Sequence, residues 1–323
     1  MRFAVATAVE QVGPHTYTAD FKDGWNIGGV PHGGYVASTF EQVVKTHFDT
    51  TLRKQNQPHT MTAHLEFLRR TQLGSATFKV KDVKLGRQTS VVHVTLTQDD
   101  REEVVGYFTN SNLNDEAGAS FPTGWEIQPK PPPVDVSKLD ADADALWGER
   151  KVWPFVDFRK ATTQIRAWFP RKGQHSHAIV DQWLCLRDPS DRFTNESLGF
   201  VADLFPQIIE SYALGGVDTY SIDFEKKHSH DEQKRLMKGG AKMWYPTLLL
   251  NLDVKKALPA EGVRFLFVRL QAKIIKNGRY DLELIVKDAG GDVVALSHHV
   301  VLAVSAERNT AARRKVDAGT SKL

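Results

Sequence analysis

The sequence predicts an α+β fold made by duplication, and three observations carry that prediction. The strand-like segment His59-Thr60-Met61-Thr62-Ala63-His64-Leu65-Glu66-Phe67 is matched in order and polarity by Pro246-Thr247-Leu248-Leu249-Leu250-Asn251-Leu252-Asp253-Val254. A Gly-Arg turn follows each, Gly86-Arg87 and Gly278-Arg279. An alternating segment comes next with its apolar residues in the same parity: Val92, Val94 and Leu96 in one, Leu282, Leu284 and Val286 in the other. One helix precedes each set, and the helices align as well, Gly34-Tyr35-Val36-Ala37-Ser38 with Gly199-Phe200-Val201-Ala202-Asp203. One helix followed by about four antiparallel strands, stated twice, predicts a sheet wrapped on a helix, with two such copies side by side.

Taken in chain order, the first unit covers residues 1–115. Its opening residues MRFAVATAVEQVG are too weakly apolar, and too soon interrupted by Glu10, for a signal peptide, and no apolar run approaches the ~18 residues of a membrane span. In its helix Val36, Phe40, Val43, Val44 and His47 share one face. Residues 116–152 hold Lys130-Pro131-Pro132-Pro133 and then alternating Asp and Ala, a composition too stiff and polar for a core, and are expected to form a linker. The second unit, 153–306, has a helix whose apolar face is Leu198, Val201, Phe205, Ile208, Ile209 and Tyr212. Ser38 and Asp203 fall opposite the apolar faces, each followed four residues later by Gln42 or Gln207, so both helices carry a polar stripe turned from their own sheet. Residues 307–323 are basic and without hydrophobic period, and a disordered tail is expected.

Composition narrows the function classes. Of 323 residues 41% are hydrophobic and 25% charged, as in soluble globular proteins, and 42 Lys plus Arg against 39 Asp plus Glu leave +3, too little for a nucleic-acid partner. A single cysteine, Cys185, forms no internal disulfide and suits a reducing compartment. There is no G-x-S-x-G elbow, no H-E-x-x-H zinc helix, no phosphate-binding G-x-x-x-x-G-K and no dinucleotide G-x-G-x-x-G. The groups His175-Ser176-His177 and His228-Ser229-His230-Asp231 fall in polar, loop-like stretches and read as surface histidines, so neither a metal nor a cofactor is expected. Self-association into a homo-oligomer is left open. The last three residues, Ser321-Lys322-Leu323, form the tripeptide read by the peroxisomal import receptor, which makes that receptor an expected partner and the peroxisomal matrix the expected location, with the cytosol as alternative.

The order Trp25, then Pro31-His32-Gly33-Gly34-Tyr35 opening a helix, then Leu65-Glu66-Phe67-Leu68-Arg69 and Gly86-Arg87, resembles the first half of double-hotdog acyl-CoA thioesterases, the bacterial thioesterase II type and its fungal relatives. Asp203, Pro246-Thr247 and the Val293–His299 strand resemble the second half. The resemblance implies two tandem hotdog repeats and hydrolysis of an acyl-CoA to free acid and CoA, in lipid or polyketide metabolism. It further implies a water oriented by a helix Asp, a strand Ser or Thr, and a Gln on the last strand. Asp203 takes the first place, the Gln place falls on His299, and the Ser or Thr place falls between Arg269 and Ile275, where Gln271 is the neutral polar residue.

Chemistry sets what each candidate is expected to do. Asp203 is the base that activates water, a task helped if partial burial lifts its pKa. His299 stands as a neutral hydrogen-bonding group in place of the Gln. His32, Gly33 and Gly34 open a helix whose first amides lack intrahelical acceptors and would form an oxyanion hole, with tight helix-end packing as the alternative. Trp25, Phe40, Phe67, Trp183 and Trp244 line an acyl pocket or simply fill the core. Ser38 and Asn110 hold in the first half the positions of Asp203 and His299, and a serine cannot serve as a carboxylate base, so the halves are expected to be unequal. A catalytically silent acyl-binding protein and a hotdog hydratase or dehydratase stay as alternatives, the latter without the D-x-N-P-x-H pattern of such enzymes.

Overall fold

A computed structural model describes residues 1–153, 155–204, 208–213, 220, 222, 229, 231–232 and 242–311. Its helices are α1 (Phe3–Ala6), α2 (Gly33–Asp49), α3 (Leu198–Asp203) and α4 (Ile208–Ala213). The N-terminal strands are β1 (Val9–Gly13), β2 (Thr16–Phe21), β3 (Asn26–Ile27), β4 (Val30–Pro31), β5 (His59–Phe67), β6 (Gly74–Lys84), β7 (Ser90–Gln98) and β8 (Arg101–Ser111). They are followed by β9 (Trp147–Glu149), β10 (Ile165–Pro170), β11 (Ile179–Leu186), β12 (Met243–Trp244), β13 (Thr247–Val254), β14 (Leu266–Gln271), β15 (Ile275–Lys276), β16 (Arg279–Lys287), β17 (Val293–Leu302) and β18 (Val304–Ser305).

Both halves share one antiparallel sheet, ordered β1-β2-β6-β7-β8-β5-β13-β17-β16-β14-β11-β10-β9, with β15 on β16. The duplicated strands β5 and β13 meet at its centre. There His64 faces Asn251, its own counterpart in the other half, flanked by Ala63–Leu252 and Leu65–Leu250, which exchange under the repeat. The pseudo-twofold axis therefore passes through the His64–Asn251 pair, whose side chains touch at 2.6 Å. This is the predicted double hotdog.

The apolar face read for the first helix is buried against the sheet, with Val36, Phe40, Val43, Val44 and His47 inaccessible or nearly so, and Ser38 and Glu41 on the opposite face are buried too. Phe40 packs edge-on to Phe78 and stacks on Phe108 of the sheet. In the second half the helix is shorter than its periodicity suggests, since α3 ends at Asp203 and the chain re-enters a helix at Ile208; Phe205 and Gln207 lie outside the described residues.

Two expectations about the connecting segments need correction. The 116–152 segment is not simply a polar linker. Ile127, Leu139 and Trp147 are buried against Trp168, Trp183, Cys185, Phe265 and Phe267 on the outer face of the sheet, and Trp147–Glu149 pairs with β10 as the edge strand. Its aspartates serve that packing: Asp144 accepts from the backbone N–H groups of Asp135, Leu146 and Trp147, holding the turn that delivers Trp147. Nor is the tail loose from Glu307. Residues Glu307–Thr310 form a helical turn, and Asn309, 3% exposed, donates to the Ile27 carbonyl and accepts from the Gly29 N–H. Gly28 is needed beneath it, because it has φ +58° and a Cβ there would lie 2.1 Å from Asn309 Oδ1.

Candidate active site

Asp203, at the last position of α3, meets the first turn of α2. The Gly34 N–H donates to Asp203 Oδ2 at 2.7 Å, sharing its hydrogen with Nδ1 of His32, the N-cap of α2, at 3.1 Å. The Thr247 hydroxyl donates to Asp203 Oδ1 at 2.9 Å, and Nδ1 of His299 lies 3.5 Å from the same oxygen. His32 Nδ1 is 3.7 Å from Oδ2. The two glycines exist for this approach: a Cβ on Gly33 would sit 2.6 Å from Asp203 Oδ2, and one on Gly34 would sit 2.8 Å from Asp203 Cβ and 2.9 Å from the Gly199 carbonyl.

The same contact is made in reverse at the other helix end. The Gly199 N–H donates to Glu41 Oε2 at 2.8 Å, the Phe200 N–H donates to Ser38 Oγ at 2.9 Å, and the Ser38 hydroxyl donates to Glu41 Oε2 at 3.3 Å. Each helix therefore satisfies the orphan amides of its partner, α3 capping α2 through Asp203, and α2 capping α3 through Ser38 and Glu41. Ser38 and Asp203, the leading residues of the two polar stripes, thus both turn to the junction between halves.

The two buried carboxyls are displaced in opposite directions. For Asp203, burial alone would raise the pKa, but the hydrogen bond to His299, the charges of His32 and His299 and the Thr247 hydroxyl outweigh it, and the group is held below the ordinary carboxylate range. The expectation that burial lifts it is thereby overturned, since three favourable partners, His299, His32 and Thr247, face it. Glu41 is pushed well above that range by burial, which the Gly199 N–H and Ser38 hydroxyl only partly offset. Asp203 is therefore the ionised carboxylate, and the halves are chemically unequal. Burial lowers the pKa of His32, leaving it neutral near pH 7. With Nδ1 accepting from Gly34, its remaining proton sits on Nε2.

A cavity of about 290 Å³ opens beside this cluster, with His32, Gly33, Asp203 and Thr247 in its wall. Phe67 and Trp244 line it as well. The other candidates fall elsewhere. His299 is fully buried behind Asp203, its Nε2 at 2.9 Å from Ser297 Oγ, so it positions the carboxylate and is not itself in the cavity wall. Gly34 spends its N–H on Asp203, which corrects the oxyanion-hole assignment at that residue. Trp25 is core, packed against Phe3, Tyr35 and Phe200. Phe40 is likewise core, and Trp183 belongs to the outer-face cluster. Gln271, on β14, borders a groove on the sheet with Arg269 and Glu283, and is not brought to Asp203.

The polar contact to Asp203 expected of Gln271 is made instead by the Thr247 hydroxyl, on β13, three strands from β14 in the sheet. The repeat had already set Thr247 opposite Thr60 at the mouth of each central strand, the signal by which it could have been found. Glu41 was also missed, although it lies one turn beyond Ser38 on the same stripe.

Among the described residues one trio has metal-ligand character, His15, His47 and Asp82. Asp82 accepts a contact from each imidazole, at 3.1 and 2.9 Å, and Tyr17 meets the far nitrogen of His47 at 2.9 Å, so the groups satisfy one another as they stand. His175 and His177 are exposed, and His228 and His230 lie outside the described residues. No helix among the described residues is long and apolar enough to cross a membrane.

Comparisons with known proteins agree with this architecture. The family model for the acyl-CoA thioesterase N-terminal domain matches residues 21–111, and that for the C-terminal domain matches 133–303. Thioesterase-like protein TwmA of Talaromyces wortmannii is 36% identical over 332 aligned positions, covering 95% of this chain and 93% of its own. Among solved structures, a hot dog fold protein of Alicyclobacillus acidocaldarius superposes with a TM-score of 0.68 at 16% identity, covering 94% of this chain and 98% of its own. The acyl-CoA thioesterase II TesB2 of Mycobacterium marinum gives 0.61 at 15%, with coverage of 94% and 98%, and these two establish the fold alone. The two matched domains and the full-length relative together place the chain in the acyl-CoA thioesterase family, as a thioester hydrolase of double-hotdog form.

Proposed function

We propose that the chain hydrolyses its acyl-CoA by direct attack of water, with Asp203 as general base and no covalent intermediate. The observation that carries this reading is the Asp203 carboxylate in the wall of a cavity, held by hydrogen bonds from the Gly34 N–H and the Thr247 hydroxyl with His299 Nδ1 3.5 Å away. A water in the cavity, against Asp203 and Thr247, gives its proton to the carboxylate as its oxygen attacks the thioester carbon. The carbonyl oxygen of the tetrahedral intermediate meets two donors in the same wall, the His32 Nε2–H and the first amide of α2 at Gly33, which has no acceptor within its helix. Collapse breaks the C–S bond, the sulfur leaves as CoA thiolate and takes up a proton, and the acid is released. His299, paired to Ser297 on its far side, holds Asp203 in orientation. Asp203→Asn keeps the shape and removes the base. Release of free thiol from an acyl-CoA panel is expected to fall about 100-fold or more with the fold retained; an unchanged rate would refute Asp203 as the base, and no thiol release by the native chain would instead favour a protein that binds acyl groups without hydrolysing them.

Peroxisomal residence is proposed on the tripeptide Ser321-Lys322-Leu323, which lies outside the described residues and would engage the import receptor as a free carboxyl end.

A further inference from the structure

We propose that Asn309 is a positioning residue for the hydrolytic reaction: from near the far end of the chain it fixes the β3–β4 hairpin, and through it the His32 donor offered to the thioester oxygen. This rests on the hydrolytic reading above and adds a residue to it. The hairpin brings Ile27, Val30 and Pro31 into the cavity wall and runs straight into His32, the N-cap of α2. It stands apart from the large sheet, as a separate two-stranded piece with two residues to a strand. A piece so small is not stable by itself. Ile27 and Val30 pair at its tip, Asn26 and Pro31 come next, and the His32 N–H closes the base by donating to the Trp25 carbonyl at 2.9 Å. His32 is thus the last rung of the hairpin, and where the hairpin stands decides where His32 stands.

Asn309 supplies from outside what the hairpin lacks. Its Nδ2 donates to the Ile27 carbonyl and its Oδ1 accepts from the Gly29 N–H, each at 2.8 Å, so one side-chain amide holds both sides of the turn at Gly28. The tip is shaped around it, and the Gly28 N–H is fastened in turn to the Phe158 carbonyl at 2.5 Å. Asn309 is itself held in place. Just before it β18 pairs with β12, and the Arg70 guanidinium donates to the carbonyls of Arg308, Asn309 and Ala311. Arg70 and the two residues of β12, Met243 and Trp244, are cavity residues too, so the segment that carries Asn309 is fastened to the site at each of its contacts. A side chain that only secured a tail would need no such seat. Water entering in place of the amide can satisfy Ile27 and Gly29 without fixing where they stand. Misplacing a reacting group by about 1 Å costs on the order of 100-fold in rate, so the loss of Asn309 falls on turnover more than on binding.

The test is a double-mutant cycle between Asn309 and His32 in the full chain, read as kcat and KM on an acyl-CoA that the native chain hydrolyses, at a temperature where circular dichroism shows every variant folded. In Asn309→Ala kcat is expected to fall about tenfold or more with KM within about threefold of native. Asn309→Asp, which keeps the shape and the Gly29 bond and loses the donor to Ile27, is expected to fall less, and it carries the same cycle if Asn309→Ala does not fold. His32→Ser keeps an N-cap oxygen for α2 and withdraws the Nε2–H, and in that background the Asn309 substitution is expected to cost less than about threefold. Native kcat in either single variant overturns the proposal. So does a raised KM at native kcat, which would make the hairpin only a wall, and so do losses that simply multiply in the double variant, which would make Asn309 only a structural contact. Undiminished thiol release by Asp203→Asn would instead refute the base, while the Asn309–His32 coupling is still read from its own cycle.

Discussion

Gly33→Ala separates the chemistry from the fold more cleanly than removal of a charged group. The added Cβ would stand 2.6 Å from Asp203 Oδ2, while its next neighbours, Asp203 Cγ and Phe67 Cε1, are at 3.5 and 3.7 Å, so the overlap falls on the carboxylate oxygen alone. Reaching ordinary contact displaces Oδ2 by about 0.8 Å. That would stretch its 2.7 Å bond from the Gly34 N–H beyond hydrogen-bonding range. Loss of a hydrogen bond to a charged group is worth about 1.5–3 kcal/mol, and misplacement of a reacting group by about 1 Å costs on the order of 100-fold in rate. The helix itself favours alanine over glycine by up to about 1 kcal/mol. Thiol release is therefore expected to fall about 100-fold, with thermal stability lowered only modestly because the helix preference offsets part of the lost bond. Gly34→Ala serves as contrast. Its Cβ would meet the Gly199 carbonyl and Phe200 Cα at 2.9 Å, both backbone, so that variant is expected to lose stability as well. A Gly33→Ala protein with native turnover would refute the placement of Asp203 as base.

Ser38→Ala strips the acceptor from the Phe200 N–H and a donor from Glu41, and a loss of about 1–2 kcal/mol in urea unfolding is expected. His299→Gln is expected to stay within about tenfold of native kcat, because an amide can still donate to Asp203, whereas His299→Leu should cost about 100-fold; equal damage from both would refute a positioning role. Because the Asp203 pKa lies below 3.8, its stabilisation is present above that value and lost as pH falls through the folded-state pKa, so the acid limb of the native pH–rate profile is expected below 3.8 and should move upward in His299→Gln. Blocking Leu323 with a fused tag is expected to leave the chain in the cytosol with its activity intact, and a tagged chain still inside peroxisomes would refute the address. Truncation before Asn309 should also lower the melting temperature, because it opens the contacts to Ile27 and Gly29.

Local pattern made the duplication legible, because strand alternation and helix periodicity are properties of neighbouring residues, and they carried Asp203 to the junction between the halves. Thr247 escaped because its role depends on which strand reaches the end of α3, a matter of long-range strand order in which β13 is flanked by β5 and β17. Gly34 was legible as a helix start, but whether its amide faces a substrate or a protein carboxylate depends on a partner 169 residues away. Ile127, Leu139 and Trp147 were hidden by composition, since three apolar anchors suffice to seat a segment that is otherwise Pro- and Asp-rich. Asn309 was hidden in the same way, one side chain fastening a basic tail.

The crossed helix caps also bear on how such a protein can change over time. In many enzymes the reactive groups are a burden on the native state, so variants that abandon the reaction become sturdier and drift freely. Here the carboxylate proposed as the base is also the one that satisfies the opening of α2, and the serine and glutamate without a hydrolytic task satisfy the opening of α3 in return. A lineage that discards the carboxylate at Asp203 leaves the Gly34 amide only its longer contact to His32 Nδ1, and neither half keeps its own helix start fully satisfied if the chain is divided between them. Fusion of the halves thus acts as a ratchet, easy to enter and hard to leave, with persistence of the fold and persistence of the reaction selected in the same direction.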